Sequence, residues 1–109
     1  MKSVDAIAKI LKSEGVEYLF CFPANTLIDA AAKIDIRPIM TRTERTLVNM
    51  ADGFSRVTNG KRLGVATIQA GPGSENAFAG VAQAFSDSVP ILILPGCVSR
   101  RSMDIPTNF

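Results

Sequence analysis

Four short runs of this chain are largely apolar at successive positions, not at alternate ones. They are Val16-Glu-Tyr-Leu-Phe-Cys-Phe22, Arg37-Pro-Ile-Met-Thr41, Arg62-Leu-Gly-Val-Ala-Thr-Ile68 and Pro90-Ile-Leu-Ile-Leu94. A strand that is apolar on both faces must be covered on both faces, and this is the pattern of parallel sheets packed between helices. The segments between the runs carry helical spacing, so the connections are of the crossover kind that parallel strands require. The expected fold class is α/β, a parallel sheet with helices on both faces. With 109 residues the chain is one small domain.

Residues 3–14 place Val4, Ile7, Ala8, Ile10 and Leu11 at helical spacing, with Ser3 as N-cap, Asp5 in the first turn and Gly15 as the C′ residue. A second helix is expected over residues 26–34, with Asp35 and Ile36 as the link. Pro38 is acceptable only at a strand start or on an edge strand. A third helix follows Glu44 and puts Leu47, Val48, Met50, Ala51, Phe54 and Val57 on an apolar stripe that Asn59-Gly60 ends. Gly71-Pro-Gly-Ser-Glu-Asn76 is a turn that opens a fourth helix. That helix is rich in small residues (Ala77, Ala79, Gly80, Ala82, Ala84), which let it approach another surface closely. Pro95-Gly96 stops the last strand, and residues 97–109 show no period. An irregular tail directly after a buried-type strand reads as a fragment, or as a chain whose remainder is elsewhere.

Several function classes drop out on composition. There is no His, which removes His-based catalysis and His-rich metal sites. Cys21 and Cys97 are far apart and lack a CxxC partner, so this chain builds no zinc site of its own. Both thiols follow apolar runs and are expected to be buried and free, as in a reducing, cytoplasmic compartment. Net charge is +2 with scattered Lys and Arg, which does not point to nucleic acid or a membrane surface. The first twelve residues alternate charged and apolar side chains and lack a signal-peptide core. No apolar run approaches membrane-spanning length.

Glu44 sits where the second strand becomes the third helix. In open parallel sheets, ligands bind beyond the carboxyl ends of the strands. Two readings stand. Thr41-Arg-Thr-Glu44 fits the S/T-x-x-E capping box, in which the carboxylate serves the helix's own amides. Alternatively the carboxylate hydrogen-bonds a ring nitrogen of a bound heterocycle. Enclosure by Ile39 and Met50 would then raise its pKa and suit it to proton transfer. The Gly71–Asn76 turn admits either a plain tight turn or small-ligand contact; it is neither GxGxxG nor GxxxxGK[ST], and Glu75 would repel phosphate. Asn25 is an N-cap or a polar pocket group. Arg100-Arg101 is a solvated pair, Asp87-Ser88 a turn, and Met40, Met50 and Phe54 belong to the core.

Four stretches carry more together than singly: Gly15-Val-Glu-Tyr-Leu-Phe-Cys-Phe-Pro23, Arg42-Thr-Glu-Arg45 with Met50-Ala-Asp-Gly-Phe-Ser-Arg56, Ala70-Gly-Pro-Gly-Ser-Glu-Asn76, and Ala84-Phe-Ser-Asp-Ser-Val-Pro90 with Pro95-Gly96. In this order and spacing the chain resembles the N-terminal pyrimidine-binding domain of thiamine-diphosphate-dependent enzymes, most of all the acetolactate synthase (acetohydroxyacid synthase) branch. The resemblance implies that Glu44 hydrogen-bonds N1′ of the cofactor's aminopyrimidine and favours the imino tautomer. The 4′-nitrogen then removes the proton from thiazolium C2, and the resulting ylid attacks a 2-oxo acid such as pyruvate. Decarboxylation leaves an enamine that adds to a second carbonyl. It further implies that Pro23, Gly71, Pro72, Gly73 and Asn76 flank the pyrimidine, and that Asn25 and Phe109 line the substrate side. Mg²⁺ and the diphosphate belong to a domain not in this chain, and FAD is a further cofactor the resemblance admits. The site is shared with a neighbouring subunit, which implies a homodimer or higher.

The chain departs from the family at two places. Ala24-Asn25 stands where Gly-Gly is usual, and Thr43-Glu44-Arg45 where His-Glu-Gln is usual. Two alternatives to an acetolactate synthase-like carboligase therefore stay open. One is another 2-oxo-acid decarboxylase or lyase of the family; the other is a non-catalytic binding or assembly module that keeps the fold.

Overall fold

The computed structural model describes residues 1–104. Eight elements alternate along the described residues: α1 (Ser3–Ser13), β1 (Tyr18–Cys21), α2 (Leu27–Ala32), β2 (Arg37–Met40), α3 (Glu44–Val57), β3 (Gly64–Ile68), α4 (Pro72–Ser86) and β4 (Ile91–Pro95). A short 3₁₀ turn follows at Arg100–Ser102. The four strands form one parallel sheet in the order β2-β1-β3-β4. Helices cover both faces, as the doubly apolar strands demand.

Successive side chains of a strand point to opposite faces, and the two cores divide accordingly. Leu19 and Cys21 of β1 and Val65 of β3 face α1 and α2, where they meet Ala8, Leu11, Leu27, Ile28 and Ala31. Phe20 of β1 with Ala66 and Ile68 of β3 face α3 and α4, where they meet Leu47, Val48, Ala51 and Ala77. Pro38 lies in β2, an edge strand, opposite Leu19 of β1. Its missing N–H is tolerable there. Buried Ala77, Gly80 and Ala84 let α4 lie on α3.

Several local expectations shift by a residue or a face. Lys2, not Ser3, is the N-cap of α1, and its N–H donates to the Asp5 carboxylate at 3.1 Å. The second helix is shorter than expected; Asp35 adopts φ +60° and turns the chain so that Ile36 enters the core. On α3 the buried stripe is narrower than the apolar one. Leu47, Val48 and Ala51 are fully buried, whereas Met50 is exposed and Val57 is 83% exposed. Met40 too is exposed, because β2 is an edge.

Gly53, inside α3, has no atom within 4 Å of where a Cβ would stand. Gly53→Ala is therefore expected to raise stability by about 0.5–1 kcal/mol, the helix-interior difference between the two residues. A urea midpoint measured on the intact protein checks this, and a lowered midpoint contradicts it.

Candidate active site

The carboxyl ends of all four strands lie on one rim. β1 leads there to Pro23-Ala-Asn25, β2 to Thr41-Arg-Thr-Glu44, β3 to Gln69-Ala-Gly-Pro-Gly73, and β4 to Gly96-Cys-Val-Ser99. The strand order reverses between β1 and β3, the position at which open parallel sheets bind ligands.

Glu44 is the first residue of α3, and the structure excludes the capping box. The N-cap is Thr43, whose Oγ1 accepts from the Thr46 N–H at 3.2 Å. Thr41 instead donates its hydroxyl to the Thr43 carbonyl at 2.9 Å. In a capping box the carboxylate stands three residues inside the cap; here it stands one residue inside and is turned away. The side chain is buried, with the residue 5% exposed. Its Oε2 accepts from Asn76 Nδ2 at 2.8 Å, a bond across 32 positions that joins α3 to α4. No buried side-chain oxygen or nitrogen among the described residues lacks a partner. Oε1, which none of those residues bonds, therefore reaches the surface with its acceptor positions open.

The turn before α4 sets this arrangement. Gly71 adopts φ +62°, a conformation that favours glycine, and Pro72 supplies the first helical φ. Gly73 is buried because the Glu44 carboxylate lies against it. A Cβ there would stand 2.7 Å from Gln69 Cβ and 3.0 Å from Glu44 Oε1. Gly73 and Asn76, three apart, share one face of α4; one makes room for the carboxylate and the other holds it.

A cavity of about 320 Å³ opens beside this cluster. Ala24 lines it from beyond β1, Gln69 and Ala70 from beyond β3, and residues 96–99 and Ser102 from beyond β4. Pro23, Gly71 and Pro72 are exposed on the same rim. Asn25 Oδ1 accepts from the Leu27 N–H at 2.9 Å, as a capping group would. Asn25 lines a second depression of about 230 Å³ with Val4, Ile7 and Leu94. Phe109 lies outside the described residues.

The family described as "Thiamine pyrophosphate enzyme, N-terminal TPP binding domain" matches residues 1–108. The chain belongs to this family. The acetolactate synthase large subunit of Haemophilus influenzae is 35% identical over 102 residues, 90% of this chain and 18% of that protein. The probable acetolactate synthase large subunit of Methanocaldococcus jannaschii is 38% identical over 104 residues, 93% of this chain and 17% of that protein. The acetolactate synthase isozyme 3 large subunit of Escherichia coli is 31% identical over 103 residues, 91% and 18%. The chain thus spans less than a fifth of the length of these relatives.

Not every conspicuous motif of the thiamine pyrophosphate enzyme domain belongs to the site. Asp52 and Arg56 of α3 lie at its other end. Arg56 Nε donates to both Asp52 oxygens at 3.0 and 2.9 Å, and its other arm donates to Asp87 Oδ2 at 2.6 Å. The two carboxylates raise the guanidinium's pKa, Asp52 foremost. Ser55 Oγ donates to the Pro90 carbonyl at 2.6 Å. These bonds anchor α3 to the turn before β4.

The two thiols differ, contrary to the expectation that both are buried. Cys21 is buried in β1, and desolvation pushes its pKa up to about 11 against a lowering hydrogen bond to the Ile39 carbonyl. Cys97 is exposed at the cavity. Since the thiolate is the reactive form, iodoacetamide at neutral pH should alkylate Cys97 and spare Cys21 until the protein unfolds. Peptide masses check this; early modification of Cys21 contradicts it.

Proposed function

We propose that this domain is the cofactor-activating part of a thiamine-diphosphate-dependent carboligase that converts pyruvate to acetolactate, a reaction of branched-chain amino acid biosynthesis. One observation carries the reading. Glu44 is a buried carboxylate that its own helix does not use, held by Asn76 with one oxygen open. The names of the relatives support the substrate class.

The residues fit the cofactor's aminopyrimidine. Glu44 Oε1 offers an acceptor for a ring N–H, and the missing Cβ of Gly73 leaves room for the carboxylate itself. Pro23, Gly71 and Pro72 would border the ring, with Asn76 fixing the Glu44 side chain against rotation. Bound thiamine diphosphate supplies an acidic thiazolium carbon and an electron sink for loss of CO₂ from a 2-oxo acid. The chain's own part is proton control: Glu44 shares a proton with the pyrimidine nitrogen and so sets the basicity at the far side of the ring. The 2-oxo acid would occupy the cavity beyond β1, β3 and β4.

Mg²⁺ and the diphosphate, and FAD where present, fall to other parts of the assembly, and the working form is a cytoplasmic homodimer or higher. Phe78 and Phe85, seven residues apart on one face of α4, are strongly exposed. Exposed apolar surface of this kind marks protein contacts and supports the shared site.

A second reading, a 2-oxo-acid decarboxylase of the same family, is favoured by Ala24, whose side chain takes up space in the cavity wall. Incubating the intact protein with thiamine diphosphate, Mg²⁺ and pyruvate separates the two. Acetolactate is the expected product; acetaldehyde without acetolactate overturns the carboligase reading.

A further inference from the structure

The cavity beside Glu44 holds one side chain that neither the motifs nor the family match singles out. Gln69 is the first residue beyond β3 and is exposed. Its main chain is fixed: the Gln69 carbonyl accepts from Ser74 Oγ at 3.3 Å, and the Gly96 N–H donates to the neighbouring Ile68 carbonyl at 2.8 Å. Its Cβ packs on Gly73, so that Gln69 Cβ and Glu44 Oε1 both lie within 3.0 Å of the same point above that glycine. Gln69 therefore stands between the carboxylate and the cavity and belongs to the walls of both.

The other polar groups of the cavity wall are weaker candidates for ligand recognition. Ser99 and Ser102 hydrogen-bond each other at 3.0 Å. The Cys97 thiol is a weak donor. None of the described lining residues is charged. The Gln69 amide makes no hydrogen bond with the described residues, and it can both donate and accept. A small anionic substrate in this cavity thus meets a primary-amide donor on a fixed backbone.

We infer that Gln69 is a specificity-determining residue whose amide donates a hydrogen bond to the 2-oxo-acid substrate, at its carboxylate or its keto oxygen. The inference rests on the thiamine reading above and adds the group that selects the substrate. Gln69 takes no proton and breaks no bond. Its contribution is made before and during the reaction alike, so it appears in KM more than in kcat.

The test uses the intact protein with thiamine diphosphate, Mg²⁺ and pyruvate. Gln69→Ala is expected to raise KM for pyruvate about tenfold, the effect of removing one neutral hydrogen bond, with kcat changed by no more than about threefold. Proton exchange at C2 of the bound cofactor, measured without pyruvate, should stay at the wild-type rate. Gln69→Glu places a carboxylate where the donor stood. Its KM should rise about a hundredfold at neutral pH, and the excess over Gln69→Ala should shrink as the pH falls and the new carboxyl protonates. Because Gln69 is exposed, both variants should keep the wild-type melting temperature.

An unchanged KM in Gln69→Ala, with exchange intact in wild type and lost in Glu44→Gln, overturns the inference and leaves the thiamine reading standing. Loss of exchange in Gln69→Ala equal to its loss of turnover also overturns it, since that makes Gln69 a support for Glu44. Absence of C2 exchange in the wild-type protein overturns the reading and the inference together.

Discussion

Glu44→Gln should slow C2 proton exchange of bound thiamine diphosphate by about 10²–10⁴-fold, the span of positioned acid–base groups. The substitution keeps size and shape. A glutamine carbonyl can still accept from Asn76 Nδ2, which now bonds Glu44 Oε2 at 2.8 Å. What would be lost, on the proposed function, is the acid that shares a proton with the ring nitrogen. The helix should hardly notice, because Thr43 and not Glu44 caps it. Removing the charge from the first turn should cost under about 1 kcal/mol. The discriminating result is the pair of measurements: exchange collapses while the unfolding midpoint and cofactor affinity stay close to wild type. Unchanged exchange removes Glu44 from the mechanism. A large loss of stability with exchange preserved would mean that the carboxylate serves the fold.

Gly64→Ala should be the most damaging single methyl in the domain. Gly64 opens β3, and the carbonyl of Ala51 in α3 comes so near that an added Cβ would stand 2.0 Å from its oxygen and 2.6 Å from its carbon. The clash is with main chain on both sides, so no side chain can turn aside. Either α3 lifts off the sheet or β3 slides from its pairing with β1 and β4. Overpacking of ordinary core sites costs about 1–3 kcal/mol; a backbone clash of this kind should cost at least the upper end. Whole domains are stable by only about 5–15 kcal/mol. The unfolding midpoint of the intact protein should therefore drop sharply, and Gly53→Ala on the outer side of the same helix should move it the other way. Because α3 begins at Glu44, lifting it should also weaken cofactor activation. A Gly64→Ala protein of wild-type stability would show that α3 and β3 do not lie this close.

The pattern of apolar residues carried much of the fold. Doubly apolar strands required cover on both faces, and Leu19 and Phe20, adjacent in β1, do enter opposite cores. Pro38 was acceptable only at a strand start or on an edge strand, and β2 is an edge. Where the reading went astray, the local signal was real and its partner was distant. Val57 and Met50 have helical apolar spacing, yet the sheet reaches only as far as Leu47, Val48 and Ala51 on that helix. Cys97 follows an apolar strand like Cys21 does, but β4 is an edge strand and the chain leaves it toward the surface.

The candidate site shows the same division. Glu44 at a strand–helix junction is visible in the sequence, because strand and helix periods change within a few residues. Its freedom from capping is not, since Thr41-x-x-Glu44 matches the capping-box pattern and only the backbone geometry shows that Thr43 takes the cap instead. Asn76 and Gly73 stand in a turn that the sequence marks as special, but nothing in local spacing says that they meet a residue about thirty positions earlier. Gln69 carries no motif at all and gains meaning only from what surrounds it.

From its sequence alone this chain was committed to a layered parallel α/β domain with an acidic residue at the carboxyl-end rim of its sheet, because periodicity, turns and caps act over a few residues. The path of the chain decided the rest: which helix holds that carboxylate, which loops enclose a cavity beside it, and which apolar side chains stay outside. Those outcomes depend on surfaces brought together from distant parts of the chain, and no short-range pattern records them.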